Sequence, residues 1–212
     1  MRVPARLSRR WAPTIIALAL AGCGGLFGGS SPAQLYRVTP VHTFPPGLPH
    51  LPVQVLIDEP LAPAGLDTTR IALSRSAVSI EYFADSEWTD RVPLIVQTAL
   101  LESFEDSKAL SAINRESLGL HADFILKTEI RHFEALYDSP NQAPEVWVAI
   151  VTRLVNPSGR DIASPASFER RVRAKINDVP QIVLAFQEAL KGVMEEIVVW
   201  TARNPALSPK RR

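Results

Sequence analysis

The chain has 212 residues, with 23 Lys or Arg against 22 Asp or Glu, one Cys and a formal net charge of +1. Near-balanced charge excludes the clustered cations of a general nucleic-acid binder, and a single thiol excludes an intrachain disulfide framework or a thiolate zinc site. The first element is an export signal. Arg2, Arg6, Arg9 and Arg10 form a basic n-region without an acidic residue, and Trp11–Ala21 is a short apolar run ending in small residues. A membrane-spanning helix needs about 20 apolar residues, so this segment directs export and does not stay as a span.

Leu20-Ala21-Gly22-Cys23 matches a lipobox, which assigns residues 1–22 to a signal peptide cleaved between Gly22 and Cys23, and Cys23 to lipidation. A thiol is the best nucleophile available for alkylation, and small residues before it admit the peptidase. Two or more acyl chains hold a protein stably on its bilayer where one does not. Gly24 follows the cysteine where an aspartate would favour the inner membrane, so the expected location is the outer membrane, facing the periplasm. Without the four n-region arginines the mature chain carries 19 basic and 22 acidic residues, a net charge near −3.

Residues 23–34, rich in Gly and Ser, read as a flexible tether, residues 35–203 as one domain, and residues 204–212 as a disordered basic tail. Leu35–Val38 predicts a short strand, and His42–Pro52, with four prolines, an extended linker. Val53–Ile57 alternates as a strand. Ile71–Leu73 and Val78–Phe83 predict a hairpin, and Asp85–Asp90 a polar turn around Trp88, itself a packing residue. Val92, Ile95, Val96, Ala99, Leu100 and Phe104 recur at helical steps, with Pro93 suited to a first turn.

Three strands follow, simplest as antiparallel neighbours: 124–131, 146–154 and 168–176. Asp178 and Gln181 resemble a capping box ahead of a helix of about 22 residues whose apolar stripe runs from Ile182 to Ile197. These elements predict an α+β fold: an antiparallel sheet covered by two amphipathic helices, a two-layer sandwich.

Chemistry-bearing motifs are absent from the pattern. His42, His50, His121 and His132 form neither HxxxH nor HExxH, and there is no Gly-x-Ser-x-Gly elbow or phosphate loop. The reading is therefore no enzyme, no metal and no cofactor. Binding features are few. Arg171, Arg173 and Lys175 share one strand face, either a solvated, charge-protected surface or a docking site for an acidic partner or anionic lipid. Trp147 and Val151 make their strand apolar on its second side as well, for burial under a helix or for a subunit or lipid contact.

The lipobox, "YRVTP", "VQVLIDEP", "LDTTRIALSRSAVSIEYFADSEWTDRVPLIVQTALLESF", "ADFILKTEIRHFEA" and the terminal amphipathic helix together resemble the ABC-type transport auxiliary lipoproteins (PqiC-like, MCE-associated) from about Leu35 to Trp200. The resemblance implies a non-enzymatic part of an envelope lipid-transport system. Its partners would be an MCE-domain protein with its ABC transporter or permease, the membrane through acylated Cys23, phospholipid, and other copies of the chain in a ring. The rival reading is a structural lipoprotein that assists assembly of another outer-membrane complex.

Overall fold

The computed structural model describes residues 32–116, 121–158 and 165–207. The signal segment, Gly22, Cys23, the Gly/Ser stretch and residues 208–212 lie outside the described residues. Ala33–Arg212 is one compact unit. Its elements are β1 (Gln34–Tyr36), β2 (Leu51–Ile57), β3 (Arg70–Ser76), β4 (Ser79–Trp88), α1 (Val92–Ser107), β5 (Leu110–Arg115), β6 (Phe124–Leu136), β7 (Glu145–Val155), β8 (Ala166–Arg173) and α2 (Val179–Ala202). A 3-10 turn at Pro205–Leu207 follows, with Leu207 buried, so the stretch expected to be a free tail begins as part of the core.

β6 is the axis of the sheet. One edge pairs with β7 along its length, antiparallel, and β7 pairs with β8 in the same sense. The other edge is divided: β2 takes Phe124–Leu126 and β3 takes Ala135–Leu136, both parallel. Between them Leu61 fills the gap, donating to Thr128 O at 3.0 Å and accepting from Ile130 N–H at 2.8 Å. From there the sheet runs outward as β2–β5 and as β3–β4–β1.

The sheet is therefore mixed and curled into a half-barrel, which corrects the antiparallel two-layer sandwich expected from sequence. Alternation along a strand marks its two faces and carries no information about the direction of its neighbours. Parallel neighbours need a crossover, and β3, β4 and α1 together form the one from β2 to β5.

Both helices bury the stripes their spacing predicts. Val92, Ile95, Val96, Ala99, Leu100 and Phe104 of α1 are all buried, and so are Ile182, Phe186, Leu190, Val193 and Ile197 of α2. Asp178 stands at the N-cap of α2 with extended backbone but makes no side-chain cap hydrogen bond. A capping side chain bonds the N–H of the second or third helical residue. Here the second is Pro180, which has no N–H to offer. The expected capping box is not formed.

Trp88 lies at the centre of the core, 1% exposed, with its ring edge-on to Phe133 (5.7 Å between centroids) and Phe186 (5.3 Å). The polar turn expected at 85–90 is instead the end of β4, bent at Asp85 (φ 50°) and paired with β1 at Ser86–Trp88. The stretch just before the proline-rich segment is stitched to both helices, and the segment itself turns at Gly47 (φ 81°) and runs into β2 at Leu51. Gln187 of α2 accepts from Thr39 N–H at 2.6 Å and donates to Thr39 O at 2.8 Å, and Val41 N–H donates to Ser103 Oγ of α1 at 3.0 Å.

Candidate functional site

β7 separates two environments. Val146, Val148, Ile150, Thr152 and Leu154 point inward and are fully buried. Glu145, Trp147, Val151 and Arg153 point outward and remain half-exposed. α2 packs on the inner side, against β7 and β8. The second apolar side of β7 is thus not buried beneath a helix, the first of the two sequence-based explanations for Trp147 and Val151. Other side chains cover it.

Trp147 is the centre of that cover. The His132 ring stacks on it at 3.3 Å between centroids and 12° between planes. The Arg171 guanidinium lies 4.0 Å from the same centroid. Two planar groups so close to one centroid cannot share a face of the ring, so the indole is sandwiched between them. Its Nε1 donates to Glu169 Oε2 at 3.2 Å. His132 Nδ1 meets Glu134 Oε1 at 2.7 Å, and the Ser74 hydroxyl donates to the other Glu134 oxygen at 2.6 Å.

Ion pairs extend the surface along the strands. Arg171 lies 3.6 Å from Glu145, Arg173 3.0 Å from Asp138, and Arg173 also donates to Ala143 O at 3.0 Å. Glu129 holds Arg131 at 2.9 Å and Arg153 at 3.6 Å. Val151 sits directly across from Glu129, on the same face as Trp147. Lys175 is exposed beyond the end of β8 and makes no ion pair among the described residues. The structure thus brings Trp147, Arg171 and Arg173 into one lattice, with Val151 beside it and Lys175 at its margin. Each arginine already faces a carboxylate, so the surface is a mosaic of both signs around an aromatic stack and not a bare cationic patch.

His132, Glu134, Glu145, Glu169 and Asp138 were missed by sequence reasoning. A bulge at Arg131 shifts the register of β6 between Ile130 and His132. Strict alternation puts His132 inside and Phe133 outside. The bulge reverses them, leaving Phe133 1% exposed in the core. The acidic partners become visible only once the register of β6, β7 and β8 is known.

A second cluster lies where β2, β5 and β6 meet. Lys127 Nζ is 2.7 Å from Asp58 Oδ2 and 3.9 Å from Glu116 Oε2. Burial alone would raise the Asp58 carboxyl, but bonds from Lys127 and Glu116 hold it below the usual carboxylate range. Burial, then the neighbouring Asp58, pushes Glu116 up. The bond to Asp58 outweighs burial at Lys127 and raises its ammonium. Unequal carboxyl pairs serve acid–base chemistry in some sites. Here the lysine closes the pair, and no group of three or more His, Cys, Asp or Glu side chains is placed to hold a metal among the described residues. No helix among them is long and apolar enough to cross a membrane.

Comparison with known proteins matches this architecture to one family. The model for the ABC-type transport auxiliary lipoprotein component covers residues 34–198. An uncharacterized protein of Bradyrhizobium diazoefficiens is 29% identical over 184 residues, 86% of this chain and 49% of that protein. The chain thus spans about half the length of this curated relative. A crystal structure of a Xanthomonas campestris protein of the DUF330 family superposes with a TM-score of 0.75 at 24% identity, covering 80% of this chain and 95% of that one. Another solved structure, of an uncharacterized protein, gives 0.61 at 12% identity over 79% and 97% of the two chains. These two likenesses are of fold.

Proposed function

The chain belongs to the family of ABC-type transport auxiliary lipoprotein components, and from that premise we propose that it is a lipid-anchored docking module in an MCE-type envelope lipid-transport system. Membership supports an auxiliary, non-enzymatic role in the cell envelope. The finer assignments are our reading: Cys23 acylated at the outer membrane, the domain facing the periplasm, and the lattice around Trp147 as the surface that meets an MCE-domain protein.

The observation that carries this reading is a matter of spacing. The family match and the compact unit begin within one residue of each other, at 34 and 33, and the lipobox cysteine stands ten residues before Ala33. Ten residues reach at most about 35 Å when extended. A domain held so near a bilayer meets a second component on the same path at raised effective concentration. Acyl chains strongly oppose crossing water, so lipid transfer across the periplasm needs components held in line.

Replacing Cys23 by Ala tests the reading in a strain sensitised to envelope defects. The expected result is loss of the protein from membranes, raised permeability and loss of an MCE-domain protein from crosslinked purifications. Unchanged permeability and lipid asymmetry would overturn it.

A further inference from the structure

Among the described residues β8 is an edge strand and pairs only with β7. Ala174 N–H donates to Pro144 O at 2.9 Å, which fixes the parity of that ladder. Even-numbered residues of β8 direct their N–H and C=O toward β7, so Ser167, Glu169, Arg171 and Arg173 direct theirs to the open side. No loop or turn bonds the backbone of these four among the described residues. Beside this edge, between β8 and the last turns of α2, runs a trough of about 590 Å³ whose apolar lining includes Pro45, Phe168, Val199, Trp200 and Pro205. An open edge next to an apolar trough is a template for one more strand.

Arginines on an edge usually repel such a strand. Here that repulsion is cancelled within the chain, because Arg170 pairs with Glu196, Arg171 with Glu145 and Arg173 with Asp138. The strand ASFERRVR (166–173) is moreover complementary to itself. In the antiparallel register centred on Arg170, Glu169 opposes Arg171 of a second copy, Phe168 opposes Val172 and Ser167 opposes Arg173. These odd-numbered pairs are the hydrogen-bonded ones, as the parity of the free edge requires. One-residue shifts break that parity. Two-residue shifts set Glu169 against itself or Arg171 against itself.

We propose that β8 pairs antiparallel with β8 of a second copy in the register centred on Arg170, so that Val172 of each copy covers the Phe168 end of the other's trough. Arg170 meets its symmetry mate with each guanidinium already held by Glu196. Such an interface is isologous and closes at two copies. The ring implied by the family resemblance would need a separate, head-to-tail surface.

The test uses the full-length lipoprotein in detergent. Position 170 faces itself in a non-hydrogen-bonded pair, with Cα atoms about 4.5 Å apart, inside the range of about 4.4–6.8 Å that a disulfide spans. On mild oxidation Arg170→Cys gives at least tenfold more covalent dimer than Ser167→Cys or Arg173→Cys alone, whereas the double variant Ser167→Cys/Arg173→Cys crosslinks. Glu169→Pro removes an edge N–H while sparing the ladder to β7. It yields a monomer by native mass spectrometry with an unchanged melting temperature. Crosslinking at 170 no better than at 167, or an oligomer that survives Glu169→Pro, would overturn the proposal.

Discussion

The two faces of the β6–β7–β8 sheet are built on opposite principles. The inner face is mainly aliphatic: Val146, Val148, Ile150 and Leu154 lie fully buried in the core that also holds Phe186 and Leu190 of α2. The outer face is an aromatic ring held by paired charges. Apolar burial contributes about 25 cal/mol per Å² and has no direction, so the inner face fixes stability and tolerates any partner of the right volume. Ion pairs exposed to water contribute about 0–1 kcal/mol each. The outer face is therefore nearly neutral for folding, which leaves its shape and charge free to be read by a partner.

That contrast breaks most readily from the inside. Phe186→Ala removes a ring that packs on Trp88 at 5.3 Å and Phe133 at 5.1 Å, and costs about 3–5 kcal/mol, read by urea unfolding. Trp147→Ala costs about 1 kcal/mol, since it forfeits a half-exposed stack and one cation–π contact. Its larger effect falls on recovery of an MCE-domain partner from crosslinked membranes. A Phe186-sized loss of stability from Trp147→Ala would show that the outer face is structural after all.

Smaller effects sharpen the comparison at the Asp58–Glu116–Lys127 cluster. Lys127→Met leaves two carboxyls facing each other and destabilises by under about 1 kcal/mol at neutral pH, because all three groups are partly solvated. Glu116→Gln works the other way. The raised Glu116 carboxyl means that the folded state binds its proton more tightly than the unfolded chain does. This contribution is present below the unfolded value and is lost as pH rises through the folded one. The glutamine variant thus melts slightly higher than the parent at pH 7, and the gain vanishes at pH 4. Asp58, lowered, has the opposite sense, with stability present above its unfolded value and lost as pH falls through the folded one.

The elements legible in the sequence are those whose periodicity is decided by burial. α1, α2 and β7 carry the repeats that one-sided or two-sided packing imposes. β5, Leu110–Arg115, carries none, because only Leu110 is buried and the remaining positions are polar or half-exposed. The end of β4 reads as a turn because Asp85-Ser86-Glu87 is polar. Its pairing with β1 and the burial of Trp88 are tertiary facts that local preference does not encode. Of the outer face, Arg171 and Arg173 are legible as sharing one side of their strand, and Trp147 with Val151 as the second side of another. Their partners are not, since the Arg131 bulge hides His132 and the acidic pairs depend on cross-strand register. The mixed direction of the sheet was hidden for the same reason.

The proposed docking runs through the face centred on Trp147. A photo-crosslinking residue placed at Val151, compared with one at exposed Glu102 of α1, measures this directly in living cells. The expected result is a covalent adduct with an MCE-domain protein from position 151 and none from position 102. Equal labelling from both positions, or an adduct from 151 only with components of another outer-membrane machine, would contradict it.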